Sequence, residues 1–149
     1  MAKTPTHTRA ADGGRVADAL HTAGYRVTSQ RVVIHTALAE LAHHATAEEV
    51  RAAVETRLPN VSLPTVYAGL EALEDAGLVR RVATGQGPTL YDAGAEAHHH
   101  VVCRRCGAVE DLLVPVKLGP ALEGAAAQGF TAEAAEVVVR GLCARCRAT

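Results

Sequence analysis

Four cysteines stand in two CxxC pairs, Cys103-Arg-Arg-Cys106 and Cys143-Ala-Arg-Cys146. A CxxC turn aims two thiolates at one point, and two such turns build the tetrahedral four-sulfur cage of a structural Zn²⁺ site. Gly107 suits the tight knuckle after the first pair, and no cysteine is left over, as a closed cage requires. Two disulfides or a redox-active CxxC would use the same residues. A reducing compartment disfavours stable disulfides, and a redox motif usually comes singly.

A second set of donors precedes the first pair. His98-His99-His100 lies in a stretch that reads as a strand, so His98 and His100 share one face and His99 takes the other. Asp92 lies upstream, and Asp111 sits in the next strand, where hairpin pairing would bring it beside the histidines. His43 or His44 offers a fifth donor. These nitrogens and oxygens, with no thiolate, suit Fe²⁺, Mn²⁺ or Zn²⁺ better than a soft metal. A solvated His-rich strand is the plainer alternative. His7, His21 and His35, taken singly, read as ordinary surface or core residues.

Elements must hold these groups in place. Val16, Ala19, Leu20 and Ala23 fall at helical spacing before Gly24. Thr28 is a fitting N-cap for a helix to about Ala42, with Ile34, Leu38 and Leu41 on one face. Thr46-Ala-Glu-Glu49 has the capping-box form, and the helix it opens carries Val50, Val54 and Leu58 up to Pro59. Ser62 caps a fourth helix, with Pro64 in its first turn and Val66, Leu70 and Leu73 as its buried stripe. Leu78–Val82, a Gly/Pro-containing turn and Thr89–Tyr91 read as a hairpin. Helices followed by a hairpin describe a winged helix, although an arbitrary small helical domain shows similar periods. In the second half, 98–103 and 108–114 read as strands, 116–128 as a helix, and Phe130 and 135–142 as further strands. Such a short α+β unit cannot bury much core and needs a staple.

Composition narrows the function. The chain is 48% apolar and 21% charged, as expected of a folded soluble protein, and no apolar run reaches the ~18 residues of a membrane span. Aromatics make up 3%, with no Trp and one Phe, so the core must be Ala, Val and Leu. Residues 1–90 are neutral and residues 91–149 carry −1, so DNA binding would need local clusters of Arg. Residues 1–12 lack periodicity and read as a mobile arm. No secretory signal is evident, which points to the cytoplasm.

Together these motifs resemble the ferric-uptake-regulator family of metal-dependent transcription regulators. The carrying stretches are GYRVTSQR (24–31), HATAEEV (44–50), PNVSLPTVYAGLEALEDAGLVRR (59–81), LYD (90–92), HHHVVCRRCGAVEDL (98–112) and GLCARC (141–146). The resemblance implies an α+β protein with an N-terminal winged-helix DNA-binding domain over 13–92 and a small α/β dimerisation domain with a four-cysteine zinc site over 93–149. By position, Cys103, Cys106, Cys143 and Cys146 match the structural zinc ligands, while His44, Asp92, His98, His100 and Asp111 match the regulatory metal site, which would take Fe²⁺ or Mn²⁺. The His-x-Thr-Ala register selects His44 over His43.

Aspartate at both 92 and 111 is similar to the peroxide-responsive PerR branch, where iron-catalysed oxidation of a ligand histidine is the sensing step and His44 and His98 match the affected positions. An iron- or manganese-responsive repressor is the alternative. The segment before Cys143 lacks a His used for a further metal in some relatives. Ala68 stands where many members carry Arg, which alters the DNA surface. Arg26, Arg31, Ser62, Thr65 and Tyr67 remain as candidate DNA contacts. The resemblance implies a homodimer on double-stranded operator DNA, with no membrane and no small organic substrate. A metalloenzyme fits less well, because no general base accompanies the ligands and five protein donors leave little open coordination. A zinc-stapled adaptor is a further alternative.

Overall fold

Capping side chains set the helix boundaries in a computed structural model of the chain, which describes residues 13–42, 44–82, 84–85, 87–94 and 97–149. The expected N-terminal arm over 1–12, with His7, and the candidate donor His43 lie outside these residues. The chain divides into two units, Met1–Ala95 and Glu96–Thr149.

In the first unit, α1 (Gly13–Thr22) buries Val16 and Leu20. The Thr28 side chain accepts from the Arg31 amide and opens α2 (Ser29–Leu41), which buries Ile34, His35, Ala37, Leu38 and Ala39. Thr46 and Glu49 form the reciprocal capping box of α3 (Ala47–Val54). Ser62 accepts from the Thr65 amide at the start of α4 (Leu63–Asp75), whose inner side is Val66, Gly69, Leu70, Ala72 and Leu73. α3 ends before Leu58, earlier than its apolar period suggests. Pro59 disfavours helical geometry in the residue before it, yet Leu58 still packs on the core.

α2 packs on both α3 and α4. Gly69 permits the close approach of α4 to α2, since a Cβ there would stand 2.6 Å from Ile34 Cδ1. A glycine inside a helix costs ~1 kcal/mol against alanine, and here it avoids displacing a buried Ile34. The wing follows: β1 (Arg80–Val82) pairs antiparallel with β2 (Leu90–Asp92), Arg80 opposite Asp92 and Val82 opposite Leu90. β1 starts two residues later than the apolar run. The Leu78 and Val79 amides bond the Leu73 carbonyl at 2.9 and 3.3 Å, finishing α4 before the strand begins. This is a winged helix, with a core of Ala, Val, Leu and Ile plus Tyr91.

The second unit is a three-stranded sheet of order β4-β3-β5. β3 (His99–Cys103) runs antiparallel to β4 (Val109–Leu112) and parallel to β5 (Val138–Gly141). α5 (Gly119–Ala127) lies between β4 and β5 in the chain, and α6 (Ala144–Arg147) follows β5. α5 begins three residues after the expected Val116, because Pro120 is accommodated only in a first turn. Phe130 forms no strand and is 69% exposed. The last strand is shorter than expected because the Val137 amide donates to His99 Nδ1, at 3.2 Å, and not to a ladder carbonyl. Buried side chains here are few among the described residues: His100, Val102, Cys103 and Cys146. Among the described residues, no helix is long and apolar enough to cross a membrane.

His35 supplies a pH test of the first unit. Burial holds its imidazole below the ordinary histidine range, partly offset by a hydrogen bond with the Leu78 backbone. The unfolded chain therefore binds more protons than the folded one as pH falls below about 6.5. The stability due to neutral His35 is complete above that pH and is lost on acidification. Thermal melts at pH 7.5 and 5.5 should show a smaller drop for His35→Phe than for the parent. Equal drops would refute the assignment.

Candidate metal centres

Cys103 ends β3, and Cys106 follows it through a knuckle in which the Gly107 amide bonds the Cys103 carbonyl at 2.9 Å. Gly107 takes φ 73°, a left-handed backbone that glycine adopts without strain. The parallel pairing of β3 and β5 puts Cys103 opposite Gly141. Cys143 is thereby delivered to the same end of the sheet as the N-cap of α6, and Cys146 lies on that helix. One sulfur from each cysteine falls within 4.8 Å of every other, and Cys106 Sγ and Cys143 Sγ are 3.8 Å apart. A regular tetrahedron with Zn–S bonds of about 2.3 Å has edges of about 3.8 Å. The spacing fits a thiolate-bound zinc ion, and all four cysteines are free of disulfides.

The surroundings prepare thiolates. Backbone N–H groups of Cys143, Cys106 and Arg105 hydrogen-bond the Cys103 sulfur and bring its thiol down to about 5. The Ala108 amide, foremost, lowers Cys106. The Arg145 guanidinium also bonds the Cys106 sulfur, which raises the pKa of the arginine. Cys146 goes the other way: burial, with neighbouring sulfurs, pushes it up to about 12. A bound cation supplies the compensation that a fourth thiolate needs. Arg105 secures the far side by donating to the Cys146 carbonyl at 2.6 Å.

The nitrogen and oxygen donors fall into a set in each unit. In the second unit, β3–β4 register puts His100 opposite Asp111. His98 Nε2 lies 3.2 Å and His100 Nε2 3.9 Å from Asp111 Oδ1, so both imidazoles present Nε2 to one carboxylate oxygen. His100 is 1% exposed. Its Nδ1 faces outward to Glu136 Oε1 at 2.5 Å. His99 points to the opposite face, where its Nδ1 accepts from the Val137 amide. In the first unit, an isolated antiparallel bridge joins Ala45 to Tyr91 through hydrogen bonds of 3.0 and 2.8 Å. It sets His44 beside Asp92, which is 1% exposed. Asp92 Oδ1 accepts from the Gly94 amide at 3.0 Å, which fixes the orientation of the carboxylate. An imidazole with a carboxylate, and two imidazoles with a carboxylate, are donor sets that fit Fe²⁺, Mn²⁺ or Zn²⁺.

The sequence reading missed Glu136. Its only local signal is an acid just ahead of an apolar strand, which is too common to select it.

The expected DNA-contact residues all belong to the first unit. Tyr67 projects from α4 and is 43% exposed. The Ser62 and Thr65 hydroxyls lie 2.8 Å apart at the start of the same helix. The Arg31 guanidinium sits over the Tyr25 ring at 5.1 Å and donates to the Arg26 carbonyl. Tyr25 in turn donates to Asp75 at the end of α4, so Arg31 is held by a chain of contacts to that helix, while Arg26 is exposed.

The sequence pattern of the ferric uptake regulator family matches residues 22–140. Ferric uptake regulation protein 1 of Mycolicibacterium fortuitum is 41% identical over 86% of this chain and 80% of its own length. The peroxide-responsive repressor PerR of Staphylococcus epidermidis is 33% identical over 64% of each chain. Among solved structures, the Pseudomonas aeruginosa ferric uptake regulator with manganese superposes with a TM-score of 0.69 and 31% identity, over 85% of this chain and 96% of that one. With a winged helix, a sulfur cage and two sets of His/Asp donors in place, the match decides the matter: the chain belongs to the ferric uptake regulator family, whose members are metal-responsive transcription regulators and not enzymes.

Proposed function

We propose that this protein is a cytoplasmic homodimeric repressor that holds double-stranded operator DNA in its metal-bound form and releases it when peroxide oxidises a ligand histidine. Residues 13–92 are the DNA-binding domain and 93–149 the metal-binding dimerisation domain. Cys103, Cys106, Cys143 and Cys146 hold a structural Zn²⁺. His44, Asp92, His98, His100 and Asp111 together hold the regulatory Fe²⁺ or Mn²⁺. Neither His/Asp set fills a coordination shell alone, which supports one ion shared by both.

The residues do the regulatory work through charge and geometry. Without a cation, two aspartates repel and the domains are loosely tied. With one, both carboxylates are neutralised and the angle between domains is set. That angle fixes the separation of the two α4 helices of a dimer, which must match half-sites one or more helical turns apart. Metal and DNA affinities are then reciprocally linked, by about 1–3 kcal/mol. Tyr67 and Thr65 face bases, and Arg26, Arg31 and Ser62 face phosphates.

Peroxide sensing is supported above all by aspartate at both 92 and 111, each beside imidazole within its own unit and with no thiolate among the donors. Bound Fe²⁺ supplies one-electron reduction of peroxide beside the imidazoles. In net terms a ring carbon gains one peroxide oxygen and the other leaves as water. The modified ring is a poorer donor, so the tie between domains loosens. The second reading is an iron- or manganese-responsive repressor without peroxide chemistry. The 41% identity to a ferric uptake regulation protein favours it, against 33% to a peroxide-responsive repressor.

Three outcomes are expected. Cys103→Ser or Cys143→Ser should lose zinc and dimerise poorly, because apparent structural-zinc affinities are on the order of 10–16 kcal/mol and contribute to folding; a zinc-free variant that remains a folded dimer by sedimentation would refute the cage. Tyr67→Ala should weaken operator binding by about 1–3 kcal/mol with both metals retained, while Arg31→Ala should weaken all DNA and reduce the salt slope by about one. Gel-shift titrations at several salt concentrations measure both, and unchanged affinities would place the DNA surface elsewhere. Peroxide treatment of the iron form should add one oxygen to a peptide carrying His44 or His98 and release DNA, while the manganese form resists. Unmodified histidines on retained operator would leave the metal-responsive reading in place.

A further inference from the structure

The geometry points to Glu136 as a positioning residue for the regulatory metal, acting through His100. This inference rests on the reading of His100 as a ligand of that metal. Three observations within the second unit carry it. First, the two nitrogens of His100 have distinct partners: Nε2 faces Asp111 Oδ1 at 3.9 Å, and Nδ1 meets Glu136 Oε1 at 2.5 Å. Second, the side chain of His100 is 1% exposed while that of Glu136 is 40% exposed, so the carboxylate reaches in from the surface to the hidden side of the ring. Third, the backbone fixes the approach. The His100 amide donates to the Val137 carbonyl at 3.0 Å, and His99 Nδ1 accepts from the Val137 amide at 3.2 Å. The residue next to Glu136 is thus tied twice to β3. His100 pairs with Val138, so Glu136, two residues earlier, belongs to the same sheet face as His98 and His100.

The chemical consequence concerns which nitrogen carries the proton. A neutral imidazole offers one donor and one acceptor nitrogen. A carboxylate at Nδ1 requires the proton there and leaves the Nε2 lone pair for a cation. The same contact opposes rotation of the ring by a half-turn, which would bury the N–H against Asp111. Histidine ligands of metals commonly donate their other N–H to a carboxylate in this way, and loss of that partner typically costs 10–100-fold in metal affinity. His98 has its own Nε2 toward Asp111 at 3.2 Å, so Glu136 acts on one of the two imidazoles.

The test uses the full-length zinc-loaded protein and Mn²⁺ alone as the probe, with affinity read from the free Mn²⁺ signal in electron paramagnetic resonance. Glu136→Ala should bind Mn²⁺ about 10–100-fold more weakly with zinc content and dimer unchanged. Glu136→Gln keeps an oxygen that accepts the Nδ1 proton and should stay within a few-fold of the parent. In the parent before Mn²⁺ is added, ¹⁵N chemical shifts should show His100 protonated on Nδ1. Glu136→Ala matching the parent, Glu136→Gln as weak as Glu136→Ala, or a parent His100 protonated on Nε2 would each overturn the proposal, the last without any variant having to fold. His100→Ala is the control on the underlying reading. If it loses the Mn²⁺ site while Glu136→Ala does not, only the role of Glu136 falls; if it too binds normally, the ligand assignment falls with it.

Discussion

The register of β3 is the constraint on which the second unit depends. That strand holds His100 opposite Asp111 on one neighbour and opposite Val138 on the other, and it ends on Cys103 opposite Gly141. Side chains alternate, so a slip of one residue would turn the imidazoles to the wrong face and withdraw a sulfur from the cage. The cysteines guard against that slip from the strand ends. Cys103 and Cys106 close β3, Cys143 and Cys146 follow β5, and the four sulfurs meet only when the two strands lie in this register. The cage and the imidazole set are therefore consequences of the same alignment.

The two units solve the problem of a small core differently. The first packs branched aliphatic side chains from four helices and places Gly69 where α4 must approach Ile34. Its caps, Thr28, Thr46 and Ser62, satisfy amides at helix N-termini. The second buries little beyond His100, Val102, Cys103 and Cys146. Burial of that extent does not sustain a sheet, so coordination chemistry substitutes for apolar area. In the second unit the buried imidazole of His100 and the first cage sulfur, that of Cys103, therefore stand on one strand, β3.

The His/Asp donors belong to loops and strand ends fixed by short-range hydrogen bonds. The Ala45–Tyr91 bridge ties the approach to α3 to the wing strand, which holds His44 and Asp92 as neighbours. Hairpin pairing does the same for His100 and Asp111. Preorganisation of this kind reduces the cost of collecting donors when a cation arrives.

The sequence alone was sufficient wherever the determining interaction spans a few residues. Thr28, Thr46 with Glu49, and Ser62 start their helices because a side-chain oxygen lies within reach of an amide three positions on. The CxxC spacing and the His98/His100 alternation follow from turn and strand geometry. Asp111 was placed beside the histidines by hairpin pairing, which is itself local. Tertiary structure decided what depends on distant partners. Phe130 stays exposed because no strand forms around it, whereas the start of α5 at Gly119 follows from Pro120, a local signal that outweighs the apolar period. Glu136 reaches His100 only through the parallel pairing of β3 with β5, a crossover connection that leaves no periodic trace in the chain. A hydrogen bond across such a crossover depends on where two strands settle against each other, and that is determined by the whole packed sheet.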